Sequence, residues 1–595
     1  MNTTYKNLTA TIIFFVVCLV HIVAQPKVEY WDKEQTKKRS EENYKNGLQH
    51  GKSTYWYENG KVVKEGNYTD GKEDGKWRLY YDDGKLKAEE IYLKGKKDGL
   101  WQYFYNSGNK AQEIFYKENK PDSVWKVFHS NGKIKSIEQF KNGVKEGLWQ
   151  YFYDTGNLES EGVFKNNLQE GAFTAWYKTS NKKLQGEYKA DKQTGKWTEW
   201  YSNGKLKQES EYKNDLFYLT TYFDEQGNQI IKNGEGKFTM VYDNGIKRGE
   251  GVYKAGRQSG EWIFWDTDGR RETVITYENG FKNGVYKSWF TDGKLKSEGE
   301  FKNDKRTGYW KWYRQGGTLE MEGSLLDDKR TGKWQYWFEN GNKESEGLFV
   351  DDKMNGKWTY WYANGAKWKE GEQVNDLKSG HWMYWFEDGK KMMEGDFFTN
   401  KENGLWLSWY DNGQKKDEGN YKLGMMDGAW KGWFKEGKIK YEGFYKNDLK
   451  TGAWTFWKVD GTIWEKGSYL DGRKDGFWEF YSDKGIKDRE GKYKNEKPVG
   501  KWMYYYETGQ KFQEQNFVDG KLNGTCTAWY PDGKVKSISS YKVIKNKAET
   551  VEFENKPKGD KVDVYKSVPH GEWLFYDAKG NEMSRMKYKK GVKVQ

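Results

Sequence analysis

The sequence predicts an all-β fold: an elongated single-layer antiparallel sheet of about 23 stacked β-hairpin repeats, each of 24 residues. Three observations carry this. A glycine opens a unit at 260, 284, 308, 332, 356, 380, 404, 428, 452, 476, 500 and 524, and an earlier block opens at Gly51, Gly75, Gly99, Gly147, Gly171 and Gly195, with Ser123 in the missing place. Aromatic residues recur at fixed slots within each unit. Asn-Gly or Asp-Gly recurs at slots 9 and 10, between two aromatic-rich runs, which is a strong hairpin signal.

The unit from Gly332 to Asn355 shows the pattern. Slot 3 is nearly always Trp (Trp77, Trp101, Trp149, Trp334, Trp358, Trp382, Trp406). Slot 6 is aromatic (Tyr80, Phe104, Trp200, Trp337, Trp361, Trp385). Slot 15 is usually Glu (Glu65, Glu298, Glu346, Glu394), slot 16 often Gly (Gly66, Gly299, Gly347, Gly395) and slot 18 Tyr or Phe (Tyr68, Phe301, Phe349, Phe397). No apolar period of a helix competes. Slots 2 to 8 and 11 to 18 are expected to be antiparallel strands, joined by a two-residue type I′ turn at slots 9 and 10 with positive φ at both. Slots 19 to 24 are expected to be the return turn. This register pairs slot 8 with 11, 7 with 12, and so on to 3 with 16, so Trp334 faces Gly347. Slots 3, 5, 7 and 18 then share one face and slot 6 shares the other with the slot 15 Glu. A three-residue turn would shift the register and exchange the faces.

In chain order, residues 1–24 read as a signal peptide: Lys6, an apolar run from Ala10 to Val23, and Ala24 at the cut. The run is short for a membrane span. Residues 25–50 are a partial repeat that caps the array, 51–217 the first block, 218–259 degenerate repeats suited to a hinge, 260–547 the second block, and 548–595 a degenerate and a terminal repeat with a loop. The chain is expected to be exported to the periplasm, the outer surface or the medium. Cys526, in a slot 3 where other units hold Trp, is the one cysteine left after cleavage; replacement of a buried Trp is its expected role. Hydrophobic residues make up 35% and aromatics 18%. That is too polar for several ordinary cores and too aromatic for a disordered chain, and a repeat array reconciles the two.

Catalytic, cofactor and metal sites are not expected. The five histidines (His21, His50, His129, His381, His570) have no ligand spacing. Gly47 to Ser53 imitates a phosphate loop but falls on ordinary repeat slots. Asp351-x-Lys353-x-Asn355-Gly356 and Asp70-x-Lys72-x-Asp74-Gly75 imitate calcium loops, yet Lys stands at a ligand position and Tyr362 or Tyr81 where a Glu is required. The net charge of +13 and the slot 19 lysines (Lys141, Lys165, Lys189, Lys213, Lys254, Lys302, Lys446) suggest a basic stripe for an anionic lipid surface. The recurrent Glu balances it, and export argues against nucleic acid.

The G-x-W, the aromatic pair, the N-G and the E-G-x-[YF]-x-x-[GD] tail, most of which stand between Gly356 and Gly380, resemble the MORN repeat, in its bacterial variant form. The resemblance covers nearly all of the chain after the signal. It implies hairpins stacked into elongated sheets, and roles in scaffolding, at membranes or, in some bacterial members, as antitoxins. A signal peptide fits a cytoplasmic antitoxin poorly. The Trp-rich wall-binding repeat of choline- and glucan-binding proteins is a second likeness, with a poorer fit to the period. The expected function is a non-enzymatic scaffold for multivalent contacts with a protein or envelope partner. Polysaccharide binding is the alternative. The candidate binding ladder is the slot 6 series Trp200, Trp265, Trp289, Trp337, Trp361, Trp385, Trp409, Trp433 and Trp457.

Overall fold

A computed structural model describes residues 26–545 and 564–594. The signal segment 1–24, the start of the degenerate repeat at Ala548 and most of the loop expected between Lys542 and His570 lie outside them. The described residues contain 52 strands and no helix, as the repeat pattern predicts. The chain divides into two compact units, residues 1–269 with 276–281, and residues 270–275 with 282–595.

In the first unit an open antiparallel sheet runs from the strand Lys27–Tyr30 to the strand Gln229–Ile231, its strands neighbours in chain order. It stops inside the degenerate stretch. A new antiparallel set starts with Gly236–Val241, Lys247–Lys254 and Arg257–Trp265. In the second unit the hairpins repeat from Phe281–Trp289 to Val592–Lys593.

The turns differ from expectation. At slots 7 to 10 the Gly341 N–H donates to the Phe338 carbonyl at 3.0 Å and the Phe338 N–H to the Asn342 carbonyl at 2.8 Å. Only the glycine has positive φ, +85°. This is a three-residue connection, a type I turn closed by a glycine bulge, and not a type I′ turn. Slot 9 is Asn for another reason. Asn340 Oδ1 accepts from the Asn342 N–H at 3.0 Å, and its amide donates to the Ala363 carbonyl of the next hairpin at 2.7 Å. The type I′ turn lies at slots 20 and 21, where Asp351 and Asp352 have φ of 48° and 67°. Slots 22 to 24 therefore begin the next strand, Lys353–Trp361, and are not turn.

The longer turn should exchange the faces, yet it does not. Trp337 of slot 6 pairs with Lys343 of slot 12, and the register then slips by one residue. From there Tyr336 pairs with Ser345, Gln335 with Glu346, Trp334 with Gly347 and Gly332 with Phe349. A second bulge at slot 13 cancels the one at the turn. Slots 3, 5 and 18 share one face as expected.

That face holds the core. Trp77, Trp101, Trp262, Trp358, Trp382, Trp454, Trp478 and Trp502 are among its largest fully buried side chains. The indole above most slot 16 glycines comes from the next unit: a Cβ on Gly347 would lie 2.1 Å from Cδ2 of Trp358. Trp358 donates from Nε1 to the Leu348 carbonyl at 3.2 Å. The slot 18 ring meets it edge-on, Phe349 to Trp358 at 5.1 Å and 87°. Phe349 also contacts its own unit's Trp334 at 6.1 Å and 81°. Aromatic edge-to-face pairs thus link each hairpin to the next.

Slot 7 supplies a further link. Tyr57, Tyr81, Tyr105, Tyr153, Tyr177, Tyr362 and Tyr410 donate their hydroxyls to the slot 6 carbonyl of the next unit at 2.7–2.9 Å. His129 Nε2 reaches the equivalent oxygen of Phe152 at 2.9 Å, and Arg314 and Lys458 reach those of Trp337 and Tyr481.

Candidate binding surface

The opposite face carries slots 2, 4, 6, 12, 15, 17 and 19. Its slot 6 tryptophans, all nine of the expected ladder, are half-buried. Their contacts show why. The slot 12 cation of the preceding hairpin lies over the ring in seven of them: Lys182 over Trp200, Lys247 over Trp265, Arg271 over Trp289, Lys343 over Trp361, Lys367 over Trp385, Lys391 over Trp409 and Lys415 over Trp433, at 4.9–5.6 Å. Leu319 and Ile439 hold slot 12 ahead of Trp337 and Trp457.

The same lysines bind the slot 15 glutamates. Lys343 meets Glu346 at 2.7 Å, Lys367 meets Glu370 at 2.9 Å, and Lys391 meets Glu394 at 2.8 Å. A second cation approaches from slot 2: Lys333 to Glu346 at 3.2 Å and Lys357 to Glu370 at 3.3 Å. Burial alone would raise the carboxyl pKa of Glu346, but hydrogen bonds from Lys343, Gln335 and Lys333 outweigh it and hold it at about 2. Glu370 is lowered against the same burial by Lys367 and Lys357. Slot 6 also joins slot 15 directly where it is Tyr, as in Tyr80 to Glu65 at 3.0 Å. Ring, ammonium and carboxylate thus form one repeated triplet.

Sequence reasoning missed the row beside it. Slot 19 is lysine in many units, but four consecutive units carry Leu326, Val350, Val374 and Phe398, exposed to 61, 56, 50 and 57%. They pair across the type I′ turn with Lys329, Lys353, Leu377 and Lys401. Reading slot 19 as a row, rather than by its commonest residue, would have found them.

The other singled-out residues take repeat positions. Gly47 is in a turn and is followed by the strand Leu48–Trp56, where a phosphate loop would open a helix. Asp351 and Asp352 make the type I′ turn, and Asp352 Oδ1 accepts from the Arg330 N–H at 2.9 Å. His381 lies between Asp396 at 2.9 Å and Glu394 at 3.7 Å, and His570 Nδ1 accepts from the Lys590 N–H at 3.2 Å. Cys526 is buried in its slot 3, and burial pushes its thiol pKa up.

Comparison with known proteins bears on this repeat. The family model described as MORN repeat variant matches twelve segments, 49–70, 73–94, 97–118, 121–142, 145–166, 193–214, 282–303, 330–351, 402–423, 426–447, 498–519 and 522–542. No curated protein matches the chain. Among solved structures it is similar to one titled "Crystal Structure of TcdB2-TccC3", at 10% identity and a TM-score of 0.12, over 95% of this chain and 33% of that one. A related structure, described as lacking the hypervariable C-terminal region, matches at 9% identity and a TM-score of 0.12, over 95% of this chain and 35% of that one. The chain spans about a third of the length of these structures.

Proposed function

Twelve units of this chain belong to the MORN repeat variant family, and from that premise we propose that it is an exported, non-enzymatic scaffold that binds a protein partner through many equivalent contacts. The observation that supports this best is the exposed apolar row Leu326, Val350, Val374 and Phe398. Large apolar side chains exposed in a row, here alternating with Lys329, Lys353 and Lys401, are a feature of protein contact sites. The adjoining triplets, such as Lys343 with Glu346 and Trp361, supply a polar rim. Repetition makes the binding multivalent, so affinity accumulates over units and no single residue is essential. Seven of the nine ladder rings carry a cation on one face, which leaves less flat ring surface for stacking on a polysaccharide.

The test is a pull-down of envelope fragments by residues 25–595, with the fragments untreated or protease-digested. Retention lost on digestion supports the protein partner. Retention that survives it overturns this reading in favour of glycan or lipid. Converting Leu326, Val350, Val374 and Phe398 to Lys one at a time, then together, should weaken capture in steps. A complete loss from any one of them with the fold intact would contradict multivalency.

A further inference from the structure

One position of the buried face departs from the repeat. Slot 5 carries an aromatic, aliphatic or small residue in every other well-formed unit, but in the unit opened by Gly195 it is Glu199. Slot 16 of that unit is Ser210, not Gly, and Ser210 pairs with Trp197 on one side and Leu219 on the other. In most units the next unit's indole covers slot 16, as Trp197 itself covers Gly186. Here Leu219 stands where the next tryptophan would be. Beside Glu199 the same face opens into a cleft of about 200 Å³.

Its walls come from neighbouring strands of the first unit. Glu199 pairs with Leu184 on one side and Gln208 on the other. Gln193, Trp197, Thr198, Ser210, Tyr212 and Phe217 complete the lining. One oxygen of Glu199 accepts from Lys207 at 2.7 Å. The side chains of Gln193, Gln208 and Ser210 make no hydrogen bond to another described residue. The cavity therefore presents two amides, a hydroxyl and a half-satisfied carboxylate beside the rings of Tyr212 and Phe217.

The geometry points to a binding site for a single neutral pyranose ring. Hydrogen-bonding groups without protein partners, set beside aromatic rings in a concave site, are what fixes a small polar ligand. Amides and a carboxylate suit vicinal hydroxyls, which both donate and accept. The Glu199–Lys207 pair is already neutral in sum, so an ionic ligand gains little there. Tyr212 and Phe217 match the C–H face of a sugar. The volume admits one ring, not a chain of them. The site is unlike the slot 6 ladder in lying on the other face and occurring in one unit.

The experiment is calorimetric titration of the full mature chain with methyl β-glucopyranoside, methyl β-galactopyranoside and N-acetylglucosamine, each to about 50 mM, since a ligand of this size is expected to bind in the millimolar range. One of them should saturate one site per chain. Glu199→Gln and Gln208→Ala should each weaken it about tenfold, the cost of a lost hydrogen bond. Lys484→Ala, in an exposed turn of the second unit, should leave it unchanged. Circular dichroism of each variant checks that the sheet is intact. If a variant unfolds, Gln193→Ala replaces it. No saturation by any of the three, or binding that survives both Glu199→Gln and Gln208→Ala, overturns the site and leaves a cavity filled by water. Because the pull-down depends on slot 19, the two readings fail separately.

Discussion

The indole of Trp358 lies against the Cα of Gly347, eleven residues earlier and in the preceding hairpin, so closely that a methyl group on the glycine would fall 2.1 Å from Cδ2. Gly347→Ala must displace a buried ring and should cost about 1–3 kcal/mol. Gly332 is a control with a different mechanism. A Cβ there meets nothing within 4 Å, but its φ is +64°, so Gly332→Ala should cost about 1 kcal/mol through backbone strain alone. Near-ultraviolet circular dichroism should change for the first variant and not the second. Native-state hydrogen exchange is the suitable stability measure, because an array of neighbour-coupled units need not unfold in one step.

Cys526 should be explained by the residue it faces. The slot 16 residue before it is Gln515, where Trp358 has Gly347. Cys526→Trp alone should destabilise by about 1–3 kcal/mol through overpacking. Added to Gln515→Gly, it should recover most of that loss. A double-mutant cycle measures the coupling, and additive effects would exclude this account.

Tyr362→Phe removes the donor to the Trp385 carbonyl at 2.9 Å. The expected loss is about 1 kcal/mol, confined to exchange of amides near that turn. Tyr362→His should be milder, since His129 makes the equivalent bond at 2.9 Å.

Acid should weaken the ladder face before the Trp face. Glu346 titrates at about 2 when folded, below the ordinary 4.5. A depressed pKa means that its stabilising share is complete above about pH 4.5 and is lost as the pH falls towards 2. Glu65, Glu89, Glu250, Glu370 and Glu479 are lowered in the same direction. Thermal stability should therefore fall steadily across that window. Glu346→Gln should flatten its part of the fall, read by exchange at Gln335 and Glu346.

The repeat, the hairpins, the pairing of slots 3 to 5 and the sharing of one face by slots 3, 5 and 18 were legible because period and aromatic spacing encode them. Turn type was not. Asn340-Gly341 satisfies a type I turn with a glycine bulge as well as a type I′ turn, since both require positive φ at the glycine. Asp351-Asp352 is a weaker signal than Asn-Gly, although it makes the type I′ turn. The faces survived that error because the bulge at slot 13 restores the pairing of Tyr336 with Ser345. The Glu199 cavity was hidden for a different reason. A repeat is read by what its units share, and this cavity exists where one unit differs.

The slot 7 hydroxyls join residues 23 apart in most units, but Tyr530 makes the same bond to the Tyr576 carbonyl, 46 residues on, at 2.9 Å. What the link recognises is the neighbouring hairpin, whatever length of chain intervenes. For the gene, unequal recombination that adds or removes a whole 72-nucleotide period would leave each junction with the same kind of neighbour. A shift of one codon inside a hairpin would unhook the ring, the hydroxyl and the turn amide together. Copy number is thus the variable that inheritance can change most freely, and closely related chains should differ by whole units more often than by fractions of one.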